Sequence, residues 1–385
     1  MGWSEHHKIV LVYNAPQGCD RGYTLFCNSF GGNYAYLVDI DGRICHQWHS
    51  SEGIGYGFLL PNGHLLLRTH APQESPGPGG AAALLELDWD SNVVWEHRSP
   101  LMHLDFERLS NGNTLVLQWA VLPRDVASQV QGGYVSEDHP GQTVGDLITE
   151  VTPAGEVAWE WRSWEHLKYE EDIICPMENR RGWTHQNVLN ITQEEDLIVS
   201  FRQISTVGIV DRNSGEFRWK WGPGNISHQH HPTMLDNGHI LLFDNGSHHT
   251  RPVPYSRVIE VDPATNQIEW EYKADPPFSF FNPLISSAQR LGNGNTLICE
   301  GCCGRMFEVT CNREIVWEYI NPFLKPGARA VGGGPQDLAN TVFRAHRYEP
   351  EHPALQGKDL DPGRFGSLHR IYADPPESIG ESLLG

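Results

Sequence analysis

The sequence predicts an all-β chain: a six-bladed β-propeller in which N- and C-terminal strands close one blade together. Three observations predict it. A hairpin signature built on Leu-x-Asn-Gly recurs, and a second hairpin ending in Trp alternates with it. The two ends of the chain each hold part of a repeat that the middle shows whole.

The first hairpin appears as Leu60-Pro-Asn-Gly-His-Leu-Leu-Leu67, Leu109-Ser-Asn-Gly-Asn-Thr-Leu-Val116, Leu235-Asp-Asn-Gly-His-Ile-Leu-Leu242 and Leu291-Gly-Asn-Gly-Asn-Thr-Leu-Ile298. A degenerate copy, Gln193-Glu-Glu-Asp-Leu-Ile-Val199, lies between the second and third. Asn-Gly between apolar runs marks a tight hairpin because both residues tolerate positive φ. The second hairpin ends at Trp48, Trp95, Trp159, Trp219, Trp270 and Trp317, at intervals of 47, 64, 60, 51 and 47 residues. Alternation such as Val-x-Trp-x-Trp over Val157 to Trp161 has the period of a strand.

Two hairpins make a four-stranded sheet of roughly 50–60 residues, the size of a propeller blade. Blades are expected at about 54–97, 103–161, 185–221, 230–272 and 285–319, with the sixth combining 22–48 and 342–348. Strands from both termini then leave the ring no open edge. A sandwich or solenoid does not explain why the front lacks the hairpin that the back supplies. All of 1–385 is expected to be one propeller domain. Insertions at 119–146 and 162–184 read as lids or interface loops. The tail at 349–385, rich in Pro, Gly and charge, is expected to pack loosely.

Composition agrees with this reading. The chain's 39 Gly, 26 Pro and 13 Trp suit many short strands and turns. A net charge of −20 repels phosphates and anionic headgroups, so neither nucleic acid nor membrane is expected as a partner. No apolar run approaches the roughly 18–20 residues that span a bilayer. The N-terminal residues lack the apolar core of a secretory signal, so a cytoplasmic location is expected. The eight cysteines show no paired C-x-x-C spacing. Adjacent Cys302 and Cys303 are expected to be buried, reduced thiols near a turn. Nothing in the sequence sets an oligomeric state.

Residues just before each first hairpin line one mouth of a propeller channel. Eight and six positions before each turn stand Ile54 and Tyr56, His103 and Asp105, His185 and Asn187, Gln229 and His231, and Ile285 and Ser287. Residues two apart share a strand face. Three successive blades thus offer polar, His-rich pairs at one place. On period two alone, His230 reaches the mouth only if the strand start is irregular. Arg202 returns along the neighbouring strand of the His185 blade and suits an anionic group. Arg344, His346 and Arg347 lie on the closing blade and offer further cations. Trp119, Trp183, Phe278, Phe280 and Phe281 suggest either an aromatic ligand or packing between blades.

The stretches Gly22-Tyr-Thr-Leu-Phe26, His103-Leu-Asp-Phe-Glu-Arg-Leu-Ser-Asn-Gly-Asn113, Trp183-Thr-His-Gln-Asn187, Val199-Ser-Phe-Arg202, Gln229-His-His-Pro232 and Leu241-Leu-Phe-Asp-Asn-Gly246 together resemble the arylsulfotransferase (aryl-sulfate sulfotransferase) propeller family. The resemblance runs from Gly22 to about Tyr348. It implies sulfuryl transfer from a phenolic sulfate ester to an aromatic acceptor, with no cofactor or nucleotide donor, through a covalent histidine intermediate. On this resemblance His230 is the nucleophile, His103 and His185 support it, and Arg202 binds the sulfate. Asn187, His231 and His346 are expected at the substrate, and the adjacent His231 leaves the identity of the nucleophile open. A neutral imidazole can attack sulfur, and fixed N–H donors can meet the charge on the sulfuryl oxygens. The alternative is a metal-dependent lyase or hydrolase in which His103, Asp105, His185, Gln229 and His231 hold zinc, manganese or calcium. A non-catalytic binding module is the third reading. The expected partner is a small aromatic or anionic substrate.

Overall fold

In each Leu-x-Asn-Gly hairpin the two turn residues do different work. Gly63, Gly112, Gly238 and Gly294 lie at φ of 85°, 88°, 82° and 85°, whereas the Asn before each stays out of the left-handed region. The Asn acts through its side chain: Asn62 Oδ1 accepts the His64 N–H at 2.9 Å, and Asn111, Asn237 and Asn293 repeat the bond. Gly63 N–H meets Leu60 O, and Leu60 N–H meets His64 O, a type I turn followed by a left-handed glycine. Asn is therefore selected by its short carbonyl arm and Gly by its missing Cβ. The degenerate copy has the same shape without either residue. Glu195 takes φ of 60°, and Thr192 Oγ1 accepts the N–H groups of Glu194 and Asp196.

The computed structural model describes residues 10–29, 31–70, 80–135, 143–250, 252–326 and 338–365. After β1 (Val10–Asn14), strands β2 (Tyr23–Cys27), β3 (Tyr34–Val38) and β4 (Ile44–His49) begin one antiparallel sheet. The next sheet is β5 (Tyr56–Leu59), β6 (Leu65–Arg68), β7 (Ala83–Leu87) and β8 (Val93–Arg98). Strands β9 (Met102–Arg108) and β10 (Thr114–Val121) lead into a helical turn, α1 (Arg124–Ala127), and a short β11 (Gly132–Tyr134). Strands β12 (Val144–Val151) and β13 (Val157–Arg162) complete that blade, and β14 (Ile174–Asn179) follows. The fourth sheet is β15 (Gln186–Ile191), β16 (Leu197–Phe201), β17 (Thr206–Val210) and β18 (Phe217–Trp221). The fifth is β19 (His230–Met234), β20 (Ile240–Asp244), β21 (Arg257–Asp262) and β22 (Gln267–Tyr272). The sixth is β23 (Ser287–Arg290), β24 (Thr296–Glu300), β25 (Arg305–Val309) and β26 (Ile315–Ile320). Beyond a short pair, β27 (Lys325–Pro326) and β28 (Leu338–Ala339), strand β29 (His346–Tyr348) joins β2 and completes the first sheet in the order β29-β2-β3-β4. These sheets are the six blades of a β-propeller, and strands from the two ends of the chain share one of them.

Two edge strands are covered in ways that periodicity does not show. Strand β1 pairs antiparallel with β26, Val10 opposite Ile320 and Asn14 opposite Trp317. Trp317 and Tyr319 are consequently buried on an edge strand, whereas the equivalent strand β8 alternates between exposed and half-buried. A 3₁₀ turn at Pro362–Phe365 packs on β4. An earlier turn, Pro353–Leu355, buries Ala354 and Leu355, while most of 349–365 is exposed. Residues 366–385 of the expected tail and 136–142 of the first insertion lie outside the described residues.

The two insertions pair with one another. Strands β11 and β14 run parallel, with Gly132 opposite Ile174 and Tyr134 opposite Asn179. Gly132 has φ of 78°, and a Cβ there would run into the Ile174 carbonyl, so only glycine lets the strands approach. No disulfide occurs among the described residues. Cys302 and Cys303 do lie in a 3₁₀ turn, but Cys302 is half-buried and Cys303 exposed, not buried as expected. Among the described residues no helix is long and apolar enough to cross a membrane.

The chain divides into two compact units: the described residues of Met1–Thr69, Leu85–Val94 and Gln289–Gly385, and those of His70–Leu84 and Trp95–Ala288. In the first unit two imidazoles are held neutral. Burial lowers His46 to about 4, with its ring stacked on Trp89 at 3.9 Å. Burial, reinforced by the Arg344 charge, lowers His346 to about 3, where Nε2 meets Tyr56 Oη at 2.8 Å. Below about pH 6.5 an unfolded chain protonates both rings while the folded protein resists, so the unfolded state binds more protons. Each ring then removes about 1.4 kcal/mol of stability per pH unit, down to its folded pKa. Thermal unfolding is expected to drop in temperature between pH 6.5 and 4. A His46→Gln/His346→Gln double variant should show a shallower drop, and an unchanged slope would assign the acid sensitivity to other groups.

Candidate active site

The second unit gathers its histidines where three successive first strands lose regular pairing. Register breaks between Val116 and Gln118 on β10 facing β9, between Gln186 and Val188 on β15, and between His230 and Thr233 on β19. Leu104, His185 and His231 take φ of 40°, 48° and 51° there. A bulge of this kind re-aims side chains and cancels the period-two rule.

On the first of these blades, His103 lies flat against Trp119, centroids 3.8 Å apart and planes 10° from parallel. Its Nε2 is 3.2 Å from Asp146 Oδ1, with both side chains fully buried. Trp119 and Asp146 are directly opposed on β10 and β12, so one cross-strand pair supplies both the stacking face and the carboxylate. Asp146 also accepts the Thr184 hydroxyl and the Gln186 N–H, which ties this blade to the start of β15.

His185 stands beside that pair, 6.4 Å from His103 and 5.7 Å from Trp119 between ring centroids. Burial lowers its pKa well below the usual imidazole range, and the charge of Arg202 acts in the same direction. His185 is therefore neutral at physiological pH. Arg202 donates its backbone N–H to His185 O and one guanidinium arm to Glu178 Oε1 at 2.8 Å. Its Nε–H is buried and meets no acceptor among the described residues. A buried, unanswered guanidinium donor is costly without a ligand and suits an anionic one. Burial pushes Glu178 upward, but His228 and Arg202 outweigh it and hold the carboxyl at about 2.

His230 is buried on β19, with Nδ1 2.7 Å from Asn245 Oδ1. Asn245 Nδ2 donates to Asn282 O at 2.8 Å and Ile285 O at 2.9 Å. Those carbonyls can only accept, so the amide cannot turn over, and its oxygen faces His230. The imidazole proton in the neutral ring is then on Nδ1, which leaves the lone pair on Nε2. A charge on His230 would lower His185 further, in the same direction as burial and Arg202.

The other expected residues divide by role. Asn187 is buried and donates to Gln229 O at 2.7 Å, joining β15 to the start of β19. His231 points Nδ1 at Ala288 O on β23, 3.0 Å away. His346 belongs to the first unit and contacts Tyr56. The alternative metal set is not gathered. Asp105 Oδ2 accepts Leu189 N–H at 2.8 Å, and Gln229 turns into its neighbouring blade to reach Ser200 Oγ and Thr206 O, both at 2.9 Å. Both groups serve as links between sheets. Trp183 stacks on Tyr169 and donates to Asp172 O, while Phe280 packs edge-on against Phe243 and Tyr272, so these two aromatics are core. Phe278 is exposed.

Sequence reasoning missed Asp146, Glu178 and Asn245. Asn245 stands within the Asp244-Asn245-Gly246 string, so a signal for it was present. Asp146 and Glu178 lie at the end of one insertion and within the other, where no periodic pattern frames them.

The fold and this site define a β-propeller whose irregular first strands bring imidazoles, a buried arginine and orienting carboxylate and amide groups into one unit. The chain belongs to the arylsulfotransferase (ASST) family, whose model matches residues 25–321, more than three quarters of its length. Membership supports aryl sulfate sulfotransferase activity in general, on small aryl substrates. No curated protein matches the chain significantly in sequence. Among solved structures it is similar to a protein of unknown function from Bacteroides caccae, with a TM-score of 0.52 and 14% identity over 85% of this chain and 98% of that one. Virginiamycin B lyase from Staphylococcus aureus matches with a TM-score of 0.44 and 11% identity, over 82% of this chain and 89% of that one.

Proposed function

We propose that the chain transfers a sulfuryl group from a phenolic sulfate ester to an aromatic acceptor through a covalent adduct on His230, without a nucleotide donor. The observation that carries this reading is the Asn245 amide, locked by two carbonyls, which assigns the His230 lone pair to Nε2. That lone pair attacks sulfur as the bond from sulfur to the phenolic oxygen breaks, and the electron pair leaves on the phenolate. The adduct forms on a ring whose Nδ1–H is already committed to Asn245, so the amide stabilises the positive charge that develops.

The remaining groups fall into roles by charge. The unanswered Arg202 Nε–H suits the sulfuryl oxygens, fixed before the reaction begins. His103 beside Asp146 is the proton donor to the phenolate, because a buried carboxylate supports an imidazolium. His185, held neutral, contributes an N–H hydrogen bond rather than a charge. In the second half-reaction an acceptor phenol gives its proton to His103 and attacks sulfur, and His230 leaves with its lone pair restored. His231, its Nδ1 against Ala288 O, supports this chemistry through the strand start it shares with His230.

The test is a single turnover with a chromogenic aryl sulfate and no acceptor. A burst of one phenol per chain is expected, together with a His230 peptide heavier by one SO₃ group under alkaline handling. Phenol release with the label on another residue, or with no labelled peptide, would overturn the assignment.

A further inference from the structure

We infer that Cys175, His228 and His248, joined by Glu178, form a binding site for a zinc-class divalent cation. The sulfur and nitrogen donor atoms of the first three lie within 4.8 Å of one another. They come from three separate places in the second unit: β14, the turn before β19, and the loop after β20. A tetrahedral zinc ion with Zn–S near 2.3 Å and Zn–N near 2.0–2.1 Å holds its ligand atoms about 3.3–3.6 Å apart. Cys175 Sγ is 3.6 Å from His248 Nδ1. Glu178 Oε1 is 3.5 Å from His248 Nδ1 and 3.1 Å from His228 Nε2. These pair spacings are near those of ligands around one ion, and the donor atoms of Cys175, His228 and His248 all stay within 4.8 Å of one another.

The hydrogen-bond pattern around His228 supplies an independent argument. The Ser227 hydroxyl has one proton and donates it to Ser247 O. At its 3.1 Å contact with His228 Nδ1, Ser227 Oγ must therefore accept, which commits the ring proton to Nδ1 and leaves a lone pair on Nε2, an atom that is buried and meets no hydrogen-bond partner among the described residues. A lone pair and a carboxylate oxygen at 3.1 Å repel unless a cation stands between them. A divalent ion does this while also engaging His248 and Cys175. His228 and His248 both hold φ of 59°, a strained conformation for a histidine that the surrounding structure must maintain. Thiolate with imidazole selects zinc-class ions over magnesium or calcium. A cleft of about 340 Å³ lined by Cys175, His248 and Ser227 provides entry. Binding displaces the Cys175 thiol proton to solvent. It also draws on the carboxylate that pairs with Arg202.

The test uses Co²⁺ added to chelator-stripped, full-length protein with no aryl sulfate present, so its outcome is independent of the sulfuryl-transfer reading. One equivalent is expected to bind with a thiolate-to-cobalt absorption in the near-ultraviolet and intense tetrahedral visible bands, both removed by Zn²⁺. Cys175→Ser should abolish the near-ultraviolet band, while Cys303→Ser, at an exposed thiol elsewhere, should keep it. His248→Ala, a surface change, should weaken binding by about 100-fold or more, since loss of a ligand exceeds the 10–100-fold cost of losing a ligand's supporting partner. Absence of a thiolate band with wild-type protein, or Cys175→Ser binding cobalt with unchanged spectrum and affinity, would overturn the inference.

Discussion

His230→Ala is expected to lower turnover of an aryl sulfate by about 10⁴-fold or more, because it removes the atom that forms the covalent bond. The loss should fall on kcat, and on the burst, rather than on substrate binding, since Arg202 and the neighbouring imidazoles remain. Asn245→Ala should give a smaller loss in the same direction. The Nδ1–H loses its fixed acceptor, so the ring is free to turn and to exchange tautomers. Thermal unfolding measured beside the kinetics separates chemistry from folding, because His230 is buried and Asn245 also holds two carbonyls. Turnover of His230→Ala within about tenfold of wild type would move the nucleophile to another group, His231 first.

The largest effect on stability is expected at the blade that the two ends of the chain share. Arg347 on β29 and Glu308 on β25 form an ion pair at 3.1 Å, with side chains 1% and 0% exposed. The guanidinium also donates to Thr24 Oγ1 on β2 and to Asp20 O, and lies 4.5 Å over the Trp317 ring. On the other side, Glu308 Oε1 accepts the Asp20 N–H and the Asn295 amide. Removing the arginine leaves a buried carboxylate whose charge is no longer answered. Arg347→Met is expected to cost about 3–5 kcal/mol, read from denaturant midpoints. Adding Glu308→Gln should recover part of that loss, because it removes the stranded charge. A single-variant cost below about 1 kcal/mol would show that the pair does not hold the closing strand.

Much of the architecture was legible because the elements that make a blade are local. An Asn two residues before the N–H it captures, a glycine at the left-handed position and a Trp closing the next strand act over a few residues. They produce the same hairpin wherever they occur. The covering of β26 by β1 was not legible, since five residues from Val10 to Asn14 carry no repeat with which to compare them. The parallel pairing of β11 with β14 was hidden for a related reason. It joins two insertions more than forty residues apart in sequence through a glycine that only the partner strand explains.

For the site, the chain alone identified which residue types stand near the starts of three first strands, because distance from a hairpin can be counted. It did not determine where they point. Counting in twos pairs Gln229 with His231 and sets His230 aside. The structure turns Gln229 into its neighbouring blade and seats His230 against Asn245, because a bulge and a left-handed residue interrupt the strand there. The sequence by itself thus determined the repeat, the closing of one blade by both termini and which imidazoles stand near the starts of the first strands. Only the tertiary structure decided their direction and protonation, since an orientation set by a neighbouring sheet and a proton set by a distant amide leave no periodic trace along the chain.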